Sequence, residues 1–188
     1  MSDFKIIFVH GYTASHLADW YPDISKELDA LGVDYVVPDL PGGTRPHSKD
    51  WLEIIDREVK SAGKPVVLVG HSLGSRAVLL YLDQYKAPAK AVFLIAAFAN
   101  WTENAKRRDG EAYPDFFEHQ LDIEAIKQLC GRFVVIHSRD DDSIDYKQGQ
   151  KIAKDLDAKL VTAEGRGHLF QPDNAAFVLD QLRSELGF

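Results

Sequence analysis

The residues best suited to do chemistry lie where a short apolar run meets a helix former. Gly70-His71-Ser72-Leu73-Gly74 fits the pattern G-x-S-x-G, preceded by Val66 to Val69 and followed by Arg76 to Leu82. A serine on a sharp strand-to-helix turn has its hydroxyl lifted above the sheet edge, where it can attack an acyl carbon. Its neighbours two residues away must be small, because strand and helix backbones nearly touch there, and Gly70 and Gly74 meet that need. The Leu73 N–H, at the helix start, aims at an oxyanion formed beside the hydroxyl. Other candidate groups are weaker. The seven histidines form no H-E-x-x-H pattern, and there is no paired C-x-x-C. Asp140-Asp141-Asp142 lacks the spacing and the distal glutamate of a calcium loop. No metal or other cofactor is therefore expected. Cys130, between an apolar helix end and Gly131, reads as a small buried residue rather than a nucleophile.

Elements that could position Ser72 alternate along the chain. Apolar runs predict strands at Phe4 to Val9, Tyr35 to Val37, Val66 to Val69, Ala91 to Ala96, Phe133 to Ile136 and Lys159 to Thr162. Apolar residues at helical spacing predict helices at Asp19 to Leu31, Lys49 to Ala62, Arg76 to Leu82, Asp122 to Leu129, Tyr146 to Leu156 and Pro172 to Leu186. Strands alternating with helices imply a three-layer α/β/α unit around a mostly parallel six-stranded sheet. Asn100 to Leu121 carries no clear periodicity. It reads either as a crossover with a short helix of its own, or as a mobile flap bringing Trp101, Tyr113, Phe116 and Phe117 to a pocket.

Whole-chain properties bound the partners. At 188 residues, 45% hydrophobic and 27% charged, the chain suits a single domain over residues 1–188 with a full core. The net charge of −7 argues against a nucleic-acid backbone as partner. No apolar run is long enough to span a membrane, and Met1 to His10 lacks the marks of a signal peptide. A single cysteine excludes an internal disulfide and fits a cytoplasmic setting.

Taken with the early His10-Gly11-Tyr12, the late Ser138-Arg-Asp-Asp-Asp-Ser-Ile144 and the terminal Gly165-Arg-Gly-His168, the elbow around Ser72 resembles the α/β-hydrolases. The short length is similar to that of the small serine hydrolases related to the retinoblastoma-binding serine hydrolase and its bacterial counterparts. That resemblance implies a reduced α/β-hydrolase fold with no full cap domain and a sheet in the order 2-1-3-4-5-6. The crevice where the chain reverses direction across the sheet would then hold the ligand. In the family a proline often follows the aliphatic residue downstream of the acid; here Asp145 follows Ile144.

Through the resemblance, roles fall on particular residues. His168, in a glycine-flanked loop between the last strand and the last helix, is the expected base for Ser72. The acid should follow the fifth strand, and the family pattern places it three residues before an aliphatic, which picks out Asp141. Asp140 would then bind loop backbone N–H groups, Asp142 would be solvated, and Asp145 could cap the next helix. The Tyr12 N–H would be the second oxyanion donor beside that of Leu73. His71 is expected to point away from Ser72, His10 to shape the oxyanion loop and His137 to end a strand. His16, His47 and His119 have no evident partner.

These readings converge on a serine hydrolase that cleaves carboxylic esters of small substrates through an acyl-enzyme, with short acyl chains preferred. Acyl transfer or amide cleavage would use the same residues. The alternative from another class is a catalytically weak or inactive hydrolase scaffold that binds a protein, although no residue specifically supports a protein partner.

Overall fold

The computed structural model describes residues 2–98, 113 and 115–188. Six strands form one sheet in the order β2-β1-β3-β4-β5-β6, all pairs parallel. They are β1 (Lys5–Val9), β2 (Asp34–Val36), β3 (Val66–His71), β4 (Ala91–Ile95), β5 (Phe133–Ser138) and β6 (Lys159–Ala163). The helices are α1 (Tyr21–Ala30), α2 (Ser48–Ser61), α3 (Leu73–Tyr85), α4 (Asp115–Glu118), α5 (Ile123–Lys127), α6 (Tyr146–Asp155) and α7 (Asn174–Leu186). This is the reduced α/β-hydrolase architecture and strand order that the resemblance implied.

Side-chain alternation along each strand divides the core in two. Ile6, Phe8, Val67, Val69, Phe93 and Ile95 pack under α1 and α7, with Trp20, Ile24, Leu28, Val178 and Leu182. Ile7, Val9, Leu68, Leu94 and Val135 pack under α2, α3 and α6, with Trp51, Leu52, Ile55, Val78 and Ile152. Both faces of β3 are thus covered, so its apolar run is continuous rather than alternating. The chain goes from β1 to β2 on one side and returns to β3 on the other. The crevice therefore opens above the C-terminal ends of β1 and β3, where ligands sit in such sheets.

Two departures from the expected elements bear on the site. Helix α1 starts at Tyr21 rather than Asp19, because Asp19 takes φ +56°, which no helix accommodates. Strand β5 continues two residues past Ile136, through the fully buried polar pair His137 and Ser138. Reading stops at polar residues when burial is judged by hydropathy alone. The interval Asn100 to Leu121 lies largely outside the described residues. Within its described part α4 packs against α3, where the buried Arg76 guanidinium donates to Phe116 O at 2.7 Å and to His119 O at 2.6 Å. Among the described residues, no helix is long and apolar enough to cross a membrane.

Candidate active site

Ser72 stands between the last residue of β3 and the first of α3 at φ +53°, ψ −119°. A non-glycine residue held there costs about 1–3 kcal/mol, so its surroundings must over-determine it. They do. The Ser72 N–H donates to Ile95 O at 2.9 Å, and Ser75 Oγ donates to Gly70 O at 2.7 Å and to Ile95 O at 3.1 Å. A Cβ on Gly70 would lie 2.6 Å from the Gly74 carbonyl oxygen and from Ser75 Cα, the expected strand–helix contact. Gly74 is needed for a different neighbour. Its Cβ would collide with Val9 O and lie 2.6 Å from His10 O, at the end of β1.

From Ser72 a hydrogen-bonded chain runs inward. His168 Nε2 is 2.9 Å from Ser72 Oγ, and His168 Nδ1 is 2.9 Å from Asp141 Oδ2 and 3.1 Å from Oδ1. A nitrogen facing a carboxylate carries the proton, so Nδ1–H donates to Asp141 and Nε2 is left to accept from the hydroxyl. Asp141 Oδ1 also accepts from the backbone N–H groups of Ser143 and Ile144, both at 2.8 Å. Burial works against ionising Asp141, but donation from His137 and His168, the positive field of His168 and the Ile144 N–H outweigh it. The carboxyl therefore sits well below the usual range.

The neighbouring aspartates separate cleanly. Asp140 accepts from Ser138 Oγ and from the N–H groups of Arg166 and Gly167, the latter two at 3.2 Å. It thus holds the loop that carries His168. Asp142 is exposed, with Ser143 Oγ 3.3 Å from one of its oxygens. Asp145 caps α6, accepting from the Lys147 N–H at 2.8 Å. Gly11 brings the Tyr12 loop against the elbow: a Cβ there would lie 3.4 Å from Ser72 Cβ. Leu73 is the first residue of α3, so its N–H has no acceptor within the helix. His10 donates from Nδ1 to Gly11 O at 2.9 Å and accepts the Leu40 N–H on Nε2 at 3.0 Å, which fixes a neutral tautomer and the loop together.

Several histidines make contacts that their chain neighbours do not announce. His71 lines the crevice beside His168, and its Nε2–H donates to the His168 carbonyl at 2.9 Å. Burial, aided by the nearby His168, pushes its imidazole down to about 3. His137 does more than end a strand: its Nε2 lies 3.2 Å from Asp141 Oδ2 and 3.0 Å from Ile144 O. A signal for it exists in Gly149, a glycine inside α6, because a Cβ there would clash with the His137 ring. His16 pairs with Asp39 at 2.8 Å, His119 with Asp83 at 2.7 Å, and His47 lies 3.9 Å from Asp115. Chain separations of 23, 36 and 68 residues hid all three partners. Cys130 is buried, and burial raises its thiol, which disfavours the thiolate. Among the described residues, no cluster of His, Cys, Asp and Glu could hold a metal.

The arrangement offers a hydroxyl with a base on one side, a carboxylate behind the base, and an open crevice of about 320 Å³ in front. That is the equipment for nucleophilic acyl transfer. The family profile described as serine hydrolase matches residues 6–175. YdeN of Bacillus subtilis is 29% identical over 171 residues, covering 90% of this chain and 87% of that protein. The crystal structure of the ydeN gene product superposes with a TM-score of 0.85 at 26% identity, covering 100% of both chains. Serine hydrolase RBBP9 of Rattus norvegicus is 26% identical over 167 residues, covering 87% of this chain and 86% of that protein.

Proposed function

The chain belongs to the serine hydrolase family, and from that premise we propose that it cleaves carboxylic esters of small substrates through an acyl-enzyme on Ser72. The observation that carries the reading is the unbroken chain Ser72–His168–Asp141, with 2.9 Å at each link.

In the first half-reaction, Ser72 Oγ attacks the ester carbonyl while His168 Nε2 takes the hydroxyl proton. The carbonyl electron pair moves onto oxygen, where the Tyr12 and Leu73 N–H groups receive the charge. Collapse of the adduct expels the alcohol oxygen, which takes the proton from His168 Nε2. In the second half, a water gives its proton to His168 and attacks the Ser72 ester, releasing the acid and restoring the hydroxyl. Asp141 holds the His168 tautomer and stabilises the imidazolium that forms in each half. A crevice of about 320 Å³ is at the small end for ligand sites, which supports short acyl chains.

A role confined to binding a protein on this scaffold would leave the hydrogen-bonded triad without a purpose. Fluorophosphonate labelling separates the two readings. The wild type should label once, at Ser72, and Ser72→Ala should stay folded and lose p-nitrophenyl acetate hydrolysis by about 10³-fold or more. Labelling that persists in Ser72→Ala would overturn the assignment.

A further inference from the structure

Asp19 has no part in the chemistry described above, yet it lines the same crevice as Ser72 and His168. It is the only carboxylate among the described lining residues, and it makes no hydrogen bond or ion pair with any described residue. Its position is imposed rather than loose. Asp19 sits at φ +56°, immediately before Trp20, whose fully buried indole donates to Leu169 O at 2.8 Å. Leu169 follows His168, so the loop carrying Asp19 is tied to the loop carrying the base. A left-handed backbone explains a short polar side chain at position 19, since Asn and Asp both tolerate it. It does not explain a charge.

Service to the base does not explain that charge either. Asp141 occupies His168 Nδ1 and Ser72 faces Nε2, so both ring nitrogens are engaged. What remains is a carboxylate turned toward the substrate space. Burial raises its carboxyl, with the charge of His168 pulling it back, so an arriving cation would stabilise the ionised form. The rest of the lining suits a cation too. The rings of Tyr12 and Tyr113 stand 4.9 Å apart, the Tyr12 hydroxyl is held by Thr44 O at 2.9 Å, and Phe170 lies beside His168. Aromatic faces around a carboxylate are how proteins recognise ammonium groups.

We propose that the crevice selects esters whose alcohol portion carries an ammonium group, with Asp19 reading the charge and the Tyr12, Tyr113 and Phe170 rings supplying its aromatic walls. The side follows from the mechanism: His168 must hand its proton to the departing oxygen, so the alcohol lies on the flank of the crevice that His168 and Asp19 share. The proposal rests on the ester-hydrolase reading for its substrate class, but not for the cation site itself.

A matched pair of substrates tests it: acetylcholine and 3,3-dimethylbutyl acetate, which share a shape and differ in charge. The wild type should favour the cationic ester in kcat/KM by about 10-fold at low salt, and 0.5 M NaCl should narrow the gap. Asp19→Asn keeps the shape and the backbone preference, and should bring the ratio to within about twofold of one. Calorimetry with tetramethylammonium needs no turnover; it should show binding to the wild type that is weakened about 5- to 10-fold in Asp19→Asn. A wild-type ratio at or below one, or a ratio and cation affinity unmoved by Asp19→Asn, would overturn the proposal. Should that variant fail to fold, the wild-type ratio and its tetramethylammonium binding decide alone. Failure of the ester reading looks different: neither ester turns over and Ser72 resists the fluorophosphonate.

Discussion

His137 Nε2 lies 3.2 Å from Asp141 Oδ2, and both side chains are wholly buried. The carboxylate therefore answers to two imidazoles, His168 toward the substrate and His137 toward α6. Both atoms near His137 Nε2, Asp141 Oδ2 and Ile144 O, are acceptors, so that nitrogen carries a proton. Its Nδ1 is buried with no hydrogen-bond partner. The Tyr146 ring meets His137 edge-on at 5.8 Å, and Gly149 of α6 lies against the imidazole.

Replacing His137 should separate activity from stability. Losing a hydrogen bond to a buried charge costs about 1.5–3 kcal/mol, but removing the orphaned Nδ1 returns about 1–3 kcal/mol, so His137→Leu should change unfolding free energy by less than about 1 kcal/mol. Activity should respond more. With one donor gone, Asp141 concentrates its charge on His168 and favours the protonated imidazole. The acid limb of the kcat/KM profile should then move to higher pH, with a drop of about 3- to 30-fold near neutrality. His137→Gln, which restores an N–H donor, should recover part of the shift. A profile identical to wild type in His137→Leu would show that the second imidazole only fills space.

His71 should make the fold sensitive to mild acid. Its imidazole titrates at about 3 in the folded protein and near 6.5 when exposed. Between those values the unfolded chain binds a proton that the native state does not, so stability falls as pH drops from about 6.5, by up to about 1.4 kcal/mol per unit. Urea unfolding at pH 7 and pH 5 measures the slope. His71→Gln should flatten it relative to wild type; an unchanged slope would place the acid sensitivity elsewhere.

The two kinds of glycine should respond in opposite ways. At Gly74 a methyl group would meet the Val9 and His10 carbonyl oxygens, and neither backbone can yield without moving β1. Gly74→Ala should cost about 3 kcal/mol or more, or prevent folding. At Gly131 a methyl group meets nothing within 4 Å and the backbone is not left-handed. Gly131→Ala should be neutral or stabilise by up to about 1 kcal/mol, through the unfolded chain. Thermal melts of the two variants would expose a wrong reading of either site.

What the sequence disclosed, and what it hid, follows from the range of each interaction. The elbow could be read because Gly70, Ser72 and Gly74 act on one another within five residues. The strands could be read because burial on both faces leaves uninterrupted apolar runs such as Val66 to Val69. The helix start at Tyr21 could not, since nothing in the letters around Asp19 announces a positive φ. The histidines were hardest. His71, His119 and His16 find their partners across 97, 36 and 23 residues, and no local pattern carries that information. His137 does stand near the end of β5, but hydropathy does not announce the buried carboxylate that it faces there. Gly74 is small both for the β3–α3 contact that the spacing announces and for the approach of α3 to β1, a tertiary contact that it does not.

The aspartate triplet gives the sharpest test of the site, because three adjacent residues of one type have three different surroundings. Asp141 faces His168 Nδ1 and two backbone N–H groups at 2.8 Å. An amide there keeps the shape but presents an N–H or a neutral oxygen to the imidazole, so Asp141→Asn should lower kcat by about 10²- to 10⁴-fold. Asp140 touches no reacting group; it accepts the Arg166 and Gly167 N–H groups two and one residues before His168. Asp140→Asn should therefore loosen that loop, lowering stability slightly and kcat a few-fold. The exposed Asp142 should tolerate Asn with less than about a threefold change. The ordering Asp141, then Asp140, then Asp142 in loss of kcat is the expected result of single-turnover kinetics on the three variants. An Asp140→Asn enzyme less active than Asp141→Asn would mean that the carboxylate hydrogen-bonded to His168 is not the one that supports it in the reaction.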